Sequence, residues 1–349
     1  MSIDTFAHFD LHPQLAQTVA ELGYVIPTPI QQSAIPLLLA GRDLIGQAQT
    51  GTGKTAAFGL PLMQRMNGRN RGVQGLVLAP TRELAIQVAD ALQSYGQGLG
   101  ITVLAVFGGQ SYQQQIRSLR QGVDVVVATP GRLLDLTRQG SLDLGTVHSV
   151  VLDEADEMLS MGFVEDIQQI LEQIPEQRQT TLFSATISKR VMDLSANYLR
   201  DPEQVRITPK QLTGATIEQR YYLVNPQEKI SALTRLFEME TIESAIIFVR
   251  TRIGTGELAN QLTSRGFAAE ALNGDLSQDA RIQVLNRYRN GQVRVLVATD
   301  VAARGLDIDD ISHVFNFDLP DDPEVYVHRV GRTGRAGRQG IAISLLTPK

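Results

Sequence analysis

Short runs of apolar, largely β-branched residues recur along the chain and are separated by longer stretches with helical periodicity. In the first part of the sequence these runs lie at residues 43–46, 76–79, 102–107, 124–128, 149–152 and 181–183. The alternation begins again after residue 216, with runs at residues 220–224, 245–249, 294–298, 313–316 and 341–345. Strands that alternate with helices are typical of a parallel sheet covered by helices. The pattern therefore predicts two α/β units in tandem.

The segment at residues 208–215 separates the two units. It contains Pro209 and Gly214 and has no consistent apolar period, which favours a linker. We predict a first domain at residues 1–207, this linker, and a second domain at residues 216–349. The length of 349 residues agrees with two domains that are each large enough for a core of their own.

Composition excludes several classes of protein. Hydrophobic residues make up 43% and charged residues 20% of the chain, which fits neither collagen, a coiled coil nor a disordered chain. The chain has no cysteine, so disulfides, zinc fingers and thiol nucleophiles are excluded, and a reducing compartment is compatible. No apolar run approaches the ~18 residues of a membrane span, and the N-terminus lacks a signal pattern. We expect a cytoplasmic protein with no membrane partner.

The charge balance alone argues against a nucleic-acid partner. The 32 basic and 37 acidic residues give a net charge of −5, whereas nucleic-acid-binding domains are usually basic. However, 27 of the basic residues are arginine, whose planar fork binds phosphate, and only 5 are lysine. Codon bias would give the same excess, so the positions of the arginines decide between the two interpretations.

A glycine-rich loop directly follows the first predicted strand and opens a predicted helix. Glycines in this context let backbone N–H groups surround phosphate oxygens at a helix N-terminus. Lys54 would reach the β and γ phosphates, and Thr55 would ligate Mg²⁺. Ala48 stands where the first glycine of the pattern usually is. The predicted nucleotide site comprises Ala48, Gln49, Thr50, Gly51, Thr52, Gly53, Lys54 and Thr55.

Adjacent carboxylates follow the predicted strand at residues 149–152. In P-loop NTPases the first acid holds the metal and a following glutamate can polarise the attacking water, so Asp153 and Glu154 take these roles. Asp156 is better suited to bonding a neighbouring motif. An acidic first turn of a helix is the alternative interpretation, since the helix dipole favours it.

Four arginines and no acidic residue occupy residues 328–338, near the end of the chain. The glycine-rich stretch is too short and too poor in proline for collagen, and the apolar strand that follows argues against a disordered Arg/Gly tail. We expect arginine fingers, which the second domain supplies to a nucleotide held by the first. There they would neutralise the charge that develops on the γ phosphate.

The motifs occur in the order of a known family. The Asp-Glu-Ala-Asp run at residues 153–156, the Ser-Ala-Thr run at 184–186 and the arginine string at 328–335 resemble the DEAD-box ATP-dependent RNA helicases of superfamily 2, and most of all the bacterial general-purpose or cold-shock type. The resemblance covers nearly the whole chain. It implies two tandem RecA-like domains, each a parallel sheet flanked by helices. It also implies an RNA-stimulated ATPase with ATP and Mg²⁺ as cofactors, and a second domain that is truncated at its end.

Within this resemblance, residues 23–31 match the adenine-binding Q motif. Gln31 would bond the adenine edge, Phe6 would stack on the base, and Thr28 also belongs to the nucleotide site. Phe9 is the competing aromatic residue, but it matches an apolar core position of the family. Because a glutamine amide offers a donor and an acceptor together, the motif predicts a preference for ATP over GTP.

The resemblance assigns further roles on both domains. Gly305 and Asp307 would touch the nucleotide, Arg332 and Arg335 match the arginine fingers, and His328 would couple the ATP state to domain closure. In the first domain the residues that would couple the nucleotide site to other motifs are Asp156, Ser184 and Thr186.

The RNA contacts that the resemblance implies lie mostly at the C-terminal ends of strands or on the turns that follow, where open α/β sheets bind ligands. Arginines, hydroxyls and backbone amides predominate and no aromatic ladder is present, so we expect binding that is independent of sequence. For Gly274 and Gln278 an ordinary turn is the open alternative. The set comprises Pro80, Thr81, Arg82, Gly108, Gly109, Thr129, Gly131, Arg132, Arg250, Thr251, Gly274, Gln278, Arg281, Thr299 and Arg304.

We therefore expect a monomeric core that closes two domains on ATP and single-stranded RNA, locally unwinds duplex RNA, and reopens on hydrolysis. Neither predicted domain is basic, so its grip on RNA should depend on ATP-driven closure. One alternative is an ATP-dependent RNA clamp or assembly platform that hydrolyses too slowly to unwind. A DNA-directed helicase is disfavoured by the Q motif and by the spelling of residues 153–156, and a small-molecule kinase by the arginine string.

Overall fold

The computed structural model describes residues 5–49, 51–68, 72–207, 217–303, 308, 311–334 and 339–348. The chain divides into two compact units, Met1–Leu212 and Thr213–Lys349. The predicted linker at residues 208–215 lies outside the described residues, so its bounds stay a prediction. None of the described helices has the length and the apolar character needed to cross a lipid bilayer.

The first unit is built on a parallel sheet of seven described strands, which run in the order β3-β4-β2-β5-β6-β1-β7 across the sheet. In chain order they are β1 (Leu44–Gln47), β2 (Gly75–Leu78), β3 (Val103–Val106), β4 (Val125–Ala128), β5 (Ser149–Leu152), β6 (Gln179–Ser184) and β7 (Glu203–Arg206).

Helices cover both faces of this sheet. Proline at the first helical position starts three of them, α1, α2 and α6, where a missing N–H costs nothing. The helices are α1 (Pro13–Glu21), α2 (Pro29–Leu39), α3 (Lys54–Arg65), α4 (Arg82–Gly96), α5 (Tyr112–Gln121), α6 (Pro130–Arg138), α7 (Ala155–Ser160), α8 (Val164–Glu172) and α9 (Lys189–Tyr198).

Two hydrophobic clusters hold the helices to the sheet. Val77 belongs to one cluster, while its neighbours Leu76 and Leu78 belong to the other, as the alternation of side chains along a strand requires. All three residues are fully buried. A strand that is buried on both faces reads as a continuous apolar run, which explains why the central strands were evident from the sequence.

The second unit contains a parallel sheet of six described strands in the order β10-β11-β9-β12-β13-β8. The strands are β8 (Ile217–Leu223), β9 (Ala245–Phe248), β10 (Ala269–Leu272), β11 (Val295–Ala298), β12 (His313–Asn316) and β13 (Gly340–Leu346). The helices are α10 (Lys229–Met239), α11 (Arg252–Ser264), α12 (Gln278–Arg289), α13 (Asp300–Ala303) and α14 (Pro323–Val330).

Every strand that the sequence predicts is present, with ends that shift by a few residues at most. Strands β7 and β10 were not predicted from the sequence. Both lie at the edge of their sheet, and neither carries a run of β-branched residues. The edge strands β3 and β8 were predicted, so the signal that β7 and β10 lack is one of composition: their residues, Glu-Gln-Val-Arg and Ala-Glu-Ala-Leu, are poor in the β-branched residues that favour strands.

Candidate functional site

The predicted ligand-binding segments of the first unit line one edge of its sheet. Since all strands are parallel, their C-terminal ends meet there. The segments that follow β1 and β5 carry predicted nucleotide groups, and the end of β6 and the segment after it carry the predicted coupling residues Ser184 and Thr186, whereas the segments that follow β2, β3 and β4 carry predicted RNA contacts. In the strand order β3-β4-β2-β5-β6-β1, the three strands before the predicted RNA contacts are consecutive, and the three strands before the predicted nucleotide and coupling residues come next. The edge is thus divided into an RNA half and a nucleotide half, which meet between β2 and β5.

The phosphate-binding loop connects β1 to α3. Gly53 lies just before α3 with a φ of +89°, and a β-carbon there would come within 2.5 Å of Gln31 Nε2, so only glycine fits. Thr52 Oγ1 donates to the Gln49 carbonyl at 2.7 Å. Ala48 is buried, and its N–H donates to the Ser184 carbonyl at 3.1 Å, which fixes the start of the loop beside β6.

Lys54 and Asp153 form the polar centre of the nucleotide half. Lys54 Nζ lies 3.9 Å from Asp153 Oδ1, and both side chains are buried. Among the described residues this Nζ has no hydrogen-bond partner. Burial raises the pKa of Asp153 to about 6; the charge of Lys54 opposes this shift, and Glu154 adds to it. A phosphate would give the buried ammonium of Lys54 an acceptor. A cation would stabilise the charged form of the buried Asp153 carboxylate.

The buried carboxylate of Asp153 beside Lys54 fits a Mg²⁺ ion that is shared with a nucleotide, and Thr55 as a second ligand stays a prediction. Mg²⁺ takes one or two protein ligands and completes its shell with phosphate oxygens and water, rather than sitting in an all-protein cage. No cluster of three or more metal-ligating side chains occurs in the part of the chain that the structure describes. One buried carboxylate beside the first turn of α3 is the arrangement that such a shared ion requires.

Glu154 has an unusual backbone conformation. Its φ of +52° and ψ of +51° place it in the left-handed region just before α7, and the residue is buried. This conformation costs a non-glycine residue about 1–2 kcal/mol. Strained backbone of this kind clusters at functional sites. The conformation agrees with the catalytic role predicted for Glu154, which stays a prediction.

Asp156 connects α7 to the segment after β6. Its Oδ2 accepts hydrogen bonds from the Thr186 N–H and from Thr186 Oγ1, both at 2.8 Å. Ser184 Oγ donates to the Thr186 carbonyl at 2.6 Å and tightens the same turn. The structure therefore brings together the three residues predicted to couple the nucleotide site to other motifs.

The Q motif rests on the phosphate-binding loop. Gln31 Oε1 accepts from the Thr28 N–H at 2.8 Å, and Gln31 Nε2 donates to the Gly53 carbonyl at 3.1 Å. These bonds use one N–H and one lone pair of the amide, and the second of each is what an adenine edge would take. Burial does not separate the two aromatic candidates. Phe6 is 7% exposed and Phe9 6%, with ring centres 5.5 Å apart, so stacking of Phe6 on adenine stays a prediction.

In the RNA half, the segments after β2 and β3 lie against each other. Gly109 has a φ of +86°, and a β-carbon at this position would collide with the Arg82 guanidinium. Thr81 Oγ1 accepts from the Leu84 N–H at 3.3 Å and caps α4, next to buried Pro80. Arg82 and the diglycine at residues 108–109 therefore form one surface.

Arg132 is paired within the first unit, and its predicted contact with RNA stays a prediction. The residue is 8% exposed, and its Nη1 donates to the Gln110 carbonyl at 3.0 Å and to Gln115 Oε1 at 3.1 Å. Its guanidinium lies 3.8 Å from the centre of the Tyr112 ring. Gln115 was not among the residues predicted from the sequence. A polar residue on the apolar stripe of an amphipathic helix, beside Ile116, was the available signal.

The corresponding edge of the second unit carries the remaining predicted RNA contacts. Exposed Arg250 and Thr251 follow β9, and Thr299 follows the neighbouring β11. Exposed Gly274 follows β10, and Arg281 Nη2 donates to the Ala302 carbonyl at 2.6 Å. The predicted residues Thr50, Arg304, Gly305, Asp307 and Arg335 lie outside the described residues, as does the side chain of Gln278.

The arginine string contains a buried residue that is not available as a finger. Arg329 donates two hydrogen bonds to Asp300, from Nε to Oδ1 at 2.6 Å and from Nη2 to Oδ2 at 2.8 Å. Its Nη1 donates to Asn316 Oδ1 at 3.0 Å. This fork fixes α14, which carries the half-buried His328, against α13 and β12. Arg332 is buried just beyond the end of α14.

Comparison with known proteins places these motifs in a family. The DEAD/DEAH box helicase model matches residues 28–194, and the helicase conserved C-terminal domain model matches residues 228–337. The DEAD-box ATP-dependent RNA helicase CshA of Geobacillus kaustophilus is 49% identical over 345 residues, which cover 99% of this chain and 74% of that protein. The chain belongs to the DEAD-box family of ATP-dependent RNA helicases. The DEAD-box helicase CshA of Bacillus licheniformis is 48% identical, and the match covers 71% of its length.

Solved structures of other DEAD-box proteins resemble this DEAD-box helicase over most of its length. S. cerevisiae Dbp5 bound to RNA and ADP BeF3 has a TM-score of 0.90 and 35% identity, covering 99% of this chain and 90% of that one. A DEAD box protein from the hyperthermophile Methanococcus jannaschii has a TM-score of 0.59 and 39% identity, covering 99% and 94% of the two chains. The predicted family and the fold class of tandem RecA-like domains are confirmed, while the roles of single residues stay predictions.

Proposed function

We propose that this DEAD-box helicase is an RNA-stimulated ATPase that closes its two domains on ATP and single-stranded RNA, locally unwinds duplex RNA and reopens on hydrolysis. The observation that carries the proposal is the divided sheet edge of the first unit. There the nucleotide half and the RNA half meet, because the Asp153 N–H donates to the Leu78 carbonyl at 2.9 Å. The start of the Asp-Glu-Ala-Asp run is thereby fixed beside residues 79–82, so the two ligands would share one rigid framework.

In the nucleotide half, the backbone amides before α3 and the buried Lys54 would bind the β and γ phosphates. Asp153 and Thr55 would hold Mg²⁺, which neutralises phosphate charge when it is bound. Glu154 would accept a proton from the attacking water as the water oxygen bonds to the γ phosphorus and the bond from that phosphorus to the bridging oxygen of ADP breaks. Arg332 and Arg335 of the second domain would stabilise the charge that develops on the transferred group.

Closure would link the affinities of the two ligands. Ordering the two domains costs free energy, and the ligand that binds first bears part of that cost, so ATP and RNA should each raise the other's affinity. The hydrogen bonds from Thr186 to Asp156 join the Asp-Glu-Ala-Asp run to the segment after β6, which supports the predicted coupling role of these residues. An acidic chain with weak unspecific attraction for RNA depends on this linkage.

The experiment compares ATP hydrolysis and duplex release with RNA and with DNA. We expect single-stranded RNA to stimulate hydrolysis and single-stranded DNA of the same sequence to do so poorly, and a short RNA duplex to separate when ATP is present. Equal stimulation by DNA would refute the RNA assignment. Retention of RNA without release of the displaced strand would favour the slow-hydrolysing clamp instead.

Three finer features belong to the same proposal. The pairing of Gln31 with the phosphate-binding loop supports ATP over GTP, and the buried carboxylate of Asp153 supports Mg²⁺ as the metal. The absence of cysteine from the sequence agrees with action in the cytoplasm.

We further expect the core to act as a monomer. Sedimentation at micromolar concentration, with and without RNA, tests that expectation.

A further inference from the structure

Gln115 is a buried amide beside the predicted RNA-binding surface. It lies in the first turn of α5 and is 2% exposed. Its Nε2 donates to the Phe107 carbonyl at 3.0 Å and to Gln110 Oε1 at 2.9 Å, while its Oε1 accepts from Arg132 Nη1 at 3.1 Å. Both N–H donors are used, and the carbonyl has a charged partner. A buried amide costs free energy unless it is paired in this way, so each bond resists disruption.

These bonds hold the two sides of the diglycine loop. Gln115 binds the carbonyl of Phe107, directly before Gly108, and Arg132 Nη1 binds the carbonyl of Gln110, directly after Gly109. Two consecutive glycines have great conformational freedom, and Gly109 already has a positive φ. Without the two anchors the segment could adopt many conformations. With them, its ends are fixed to α5 and α6.

Gln115 and Arg132 also connect the diglycine loop to the first turn of α6, which carries the other predicted RNA contacts of this region. Arg132 is the third residue of α6 and follows Thr129 and Gly131 within the same turn. The Tyr112 ring lies under the Arg132 guanidinium, and the Tyr112 hydroxyl donates to Asp135 Oδ2 at 2.6 Å. Two residues of α5 therefore contact α6: Gln115 through Arg132, and Tyr112 through Arg132 and Asp135.

We propose that Gln115 is a positioning residue for RNA: it locks the diglycine loop against α6, so that both segments present one preorganised surface to RNA phosphates. The inference rests on the proposed function. It also explains why Arg132 is buried, because this arginine acts on the RNA surface from within. Preorganisation lowers the ordering cost of binding, so loosening this cluster should weaken RNA binding and leave the chemistry of ATP unchanged.

Two substitutions at Gln115 separate its functions. Gln115→Leu removes all three bonds. Gln115→Glu keeps an acceptor for Arg132, but a carboxylate cannot donate to the Phe107 carbonyl, so the loop is released while the arginine stays paired. We expect both variants to raise the RNA concentration for half-maximal ATPase activity about tenfold, given what a lost buried hydrogen bond costs. The kcat at saturating RNA and the KM for ATP should stay within about twofold of wild type.

A matched control is available at the opposite ends of the strands, where the strands of the first sheet begin. Gln74 is 1% exposed and also makes three side-chain bonds, two with the Asn67 backbone and one with Asp124, just before β2 begins. Gln74→Leu should lower the melting temperature as Gln115→Leu does, but leave the RNA dependence unchanged. Binding of labelled single-stranded RNA with ADP and beryllium fluoride gives a second readout that needs no turnover.

The outcomes are distinct. A rise in the RNA requirement with both Gln115 variants and not with Gln74→Leu supports the positioning role. If Gln115→Leu and Gln74→Leu change the RNA requirement equally, stability alone is responsible and the inference is overturned. If Gln115→Leu does not fold, a Gln115→Glu variant with normal RNA dependence overturns the inference. An unaltered wild type that RNA fails to stimulate would refute the proposed function instead.

Discussion

Replacing Thr186 by valine removes one of the two hydrogen bonds that connect the Asp-Glu-Ala-Asp run to the segment after β6. Valine has almost the shape of threonine but no hydroxyl, so the bond from Oγ1 to Asp156 Oδ2 is lost, while the bond from the Thr186 N–H is kept. Thr186→Ser keeps the hydroxyl and serves as the control. The substitution leaves Lys54 and Asp153, the predicted nucleotide groups, unchanged.

The size of the effect follows from the partners of the lost bond. A hydrogen bond to a charged group contributes about 1.5–3 kcal/mol. Asp156 and Thr186 are both only half-buried, so solvent can replace part of the interaction and the lower end applies. About 1.5 kcal/mol corresponds to about a tenfold change in the equilibrium between a coupled and an uncoupled arrangement.

The assay measures ATP hydrolysis and release of a short RNA duplex in the same reaction. We expect Thr186→Val to hydrolyse ATP within about twofold of wild type and to release about tenfold fewer duplexes per ATP, whereas Thr186→Ser should resemble wild type. A valine variant with the wild-type number of duplexes per ATP would refute the role of this bond in coupling. Loss of ATP hydrolysis in the same proportion would place Thr186 in the nucleotide site instead.

Three further substitutions test the nucleotide half and its partner residues. Glu154→Gln should bind ATP and RNA as wild type does but hydrolyse about 100-fold or more slowly, as single-turnover kinetics would show, because an amide cannot accept the proton from water. Asp153→Asn should raise the melting temperature of the nucleotide-free protein by about 2–4 °C if ~1 kcal/mol of burial cost is recovered. The raised pKa of Asp153 means that the folded state binds its proton more tightly than the unfolded chain, so nucleotide-free stability should fall as pH rises towards about 6, and this fall should be absent from the asparagine variant. Arg335→Ala should slow hydrolysis at saturating RNA without changing the affinity of the first domain for nucleotide, measured by fluorescent ATP analogue titration; normal turnover would remove Arg335 as a finger.

Motifs whose chemistry is local were evident from the sequence. The phosphate-binding loop needs a strand, glycines and a helix in immediate succession, and all three stand within residues 44–65. Strands β7 and β10 were not predicted, because their residues, Glu-Gln-Val-Arg and Ala-Glu-Ala-Leu, carry almost no β-branched pattern. Local signals thus predict an element when its own residues carry the pattern, and they fail when a segment of weak β propensity pairs with a neighbouring strand.

The arginines show most clearly what the sequence alone could not predict. Arg82, Arg132 and Arg329 all stand in or beside motifs, and the sequence offers no difference in their chemistry. The structure packs Arg82 over the exposed Gly109, whereas Arg132 is buried with Gln115 and Arg329 is buried against Asp300. Whether an arginine meets solvent or a buried acceptor depends on side chains from other elements, and nothing in the motif records them.

The sequence by itself determined the chemistry of each motif and the strand that each motif follows. Only the tertiary structure decided which strands are neighbours. Residues Gln47 and Ser184 pair across β1 and β6 although more than a hundred positions separate them, and β5 stands between β2 and β6. Parallel strands are joined by crossovers, so adjacency in a sheet does not follow adjacency in sequence. That order of strands places the predicted nucleotide groups beside the predicted RNA contacts, along the edge where the C-terminal ends of the strands meet.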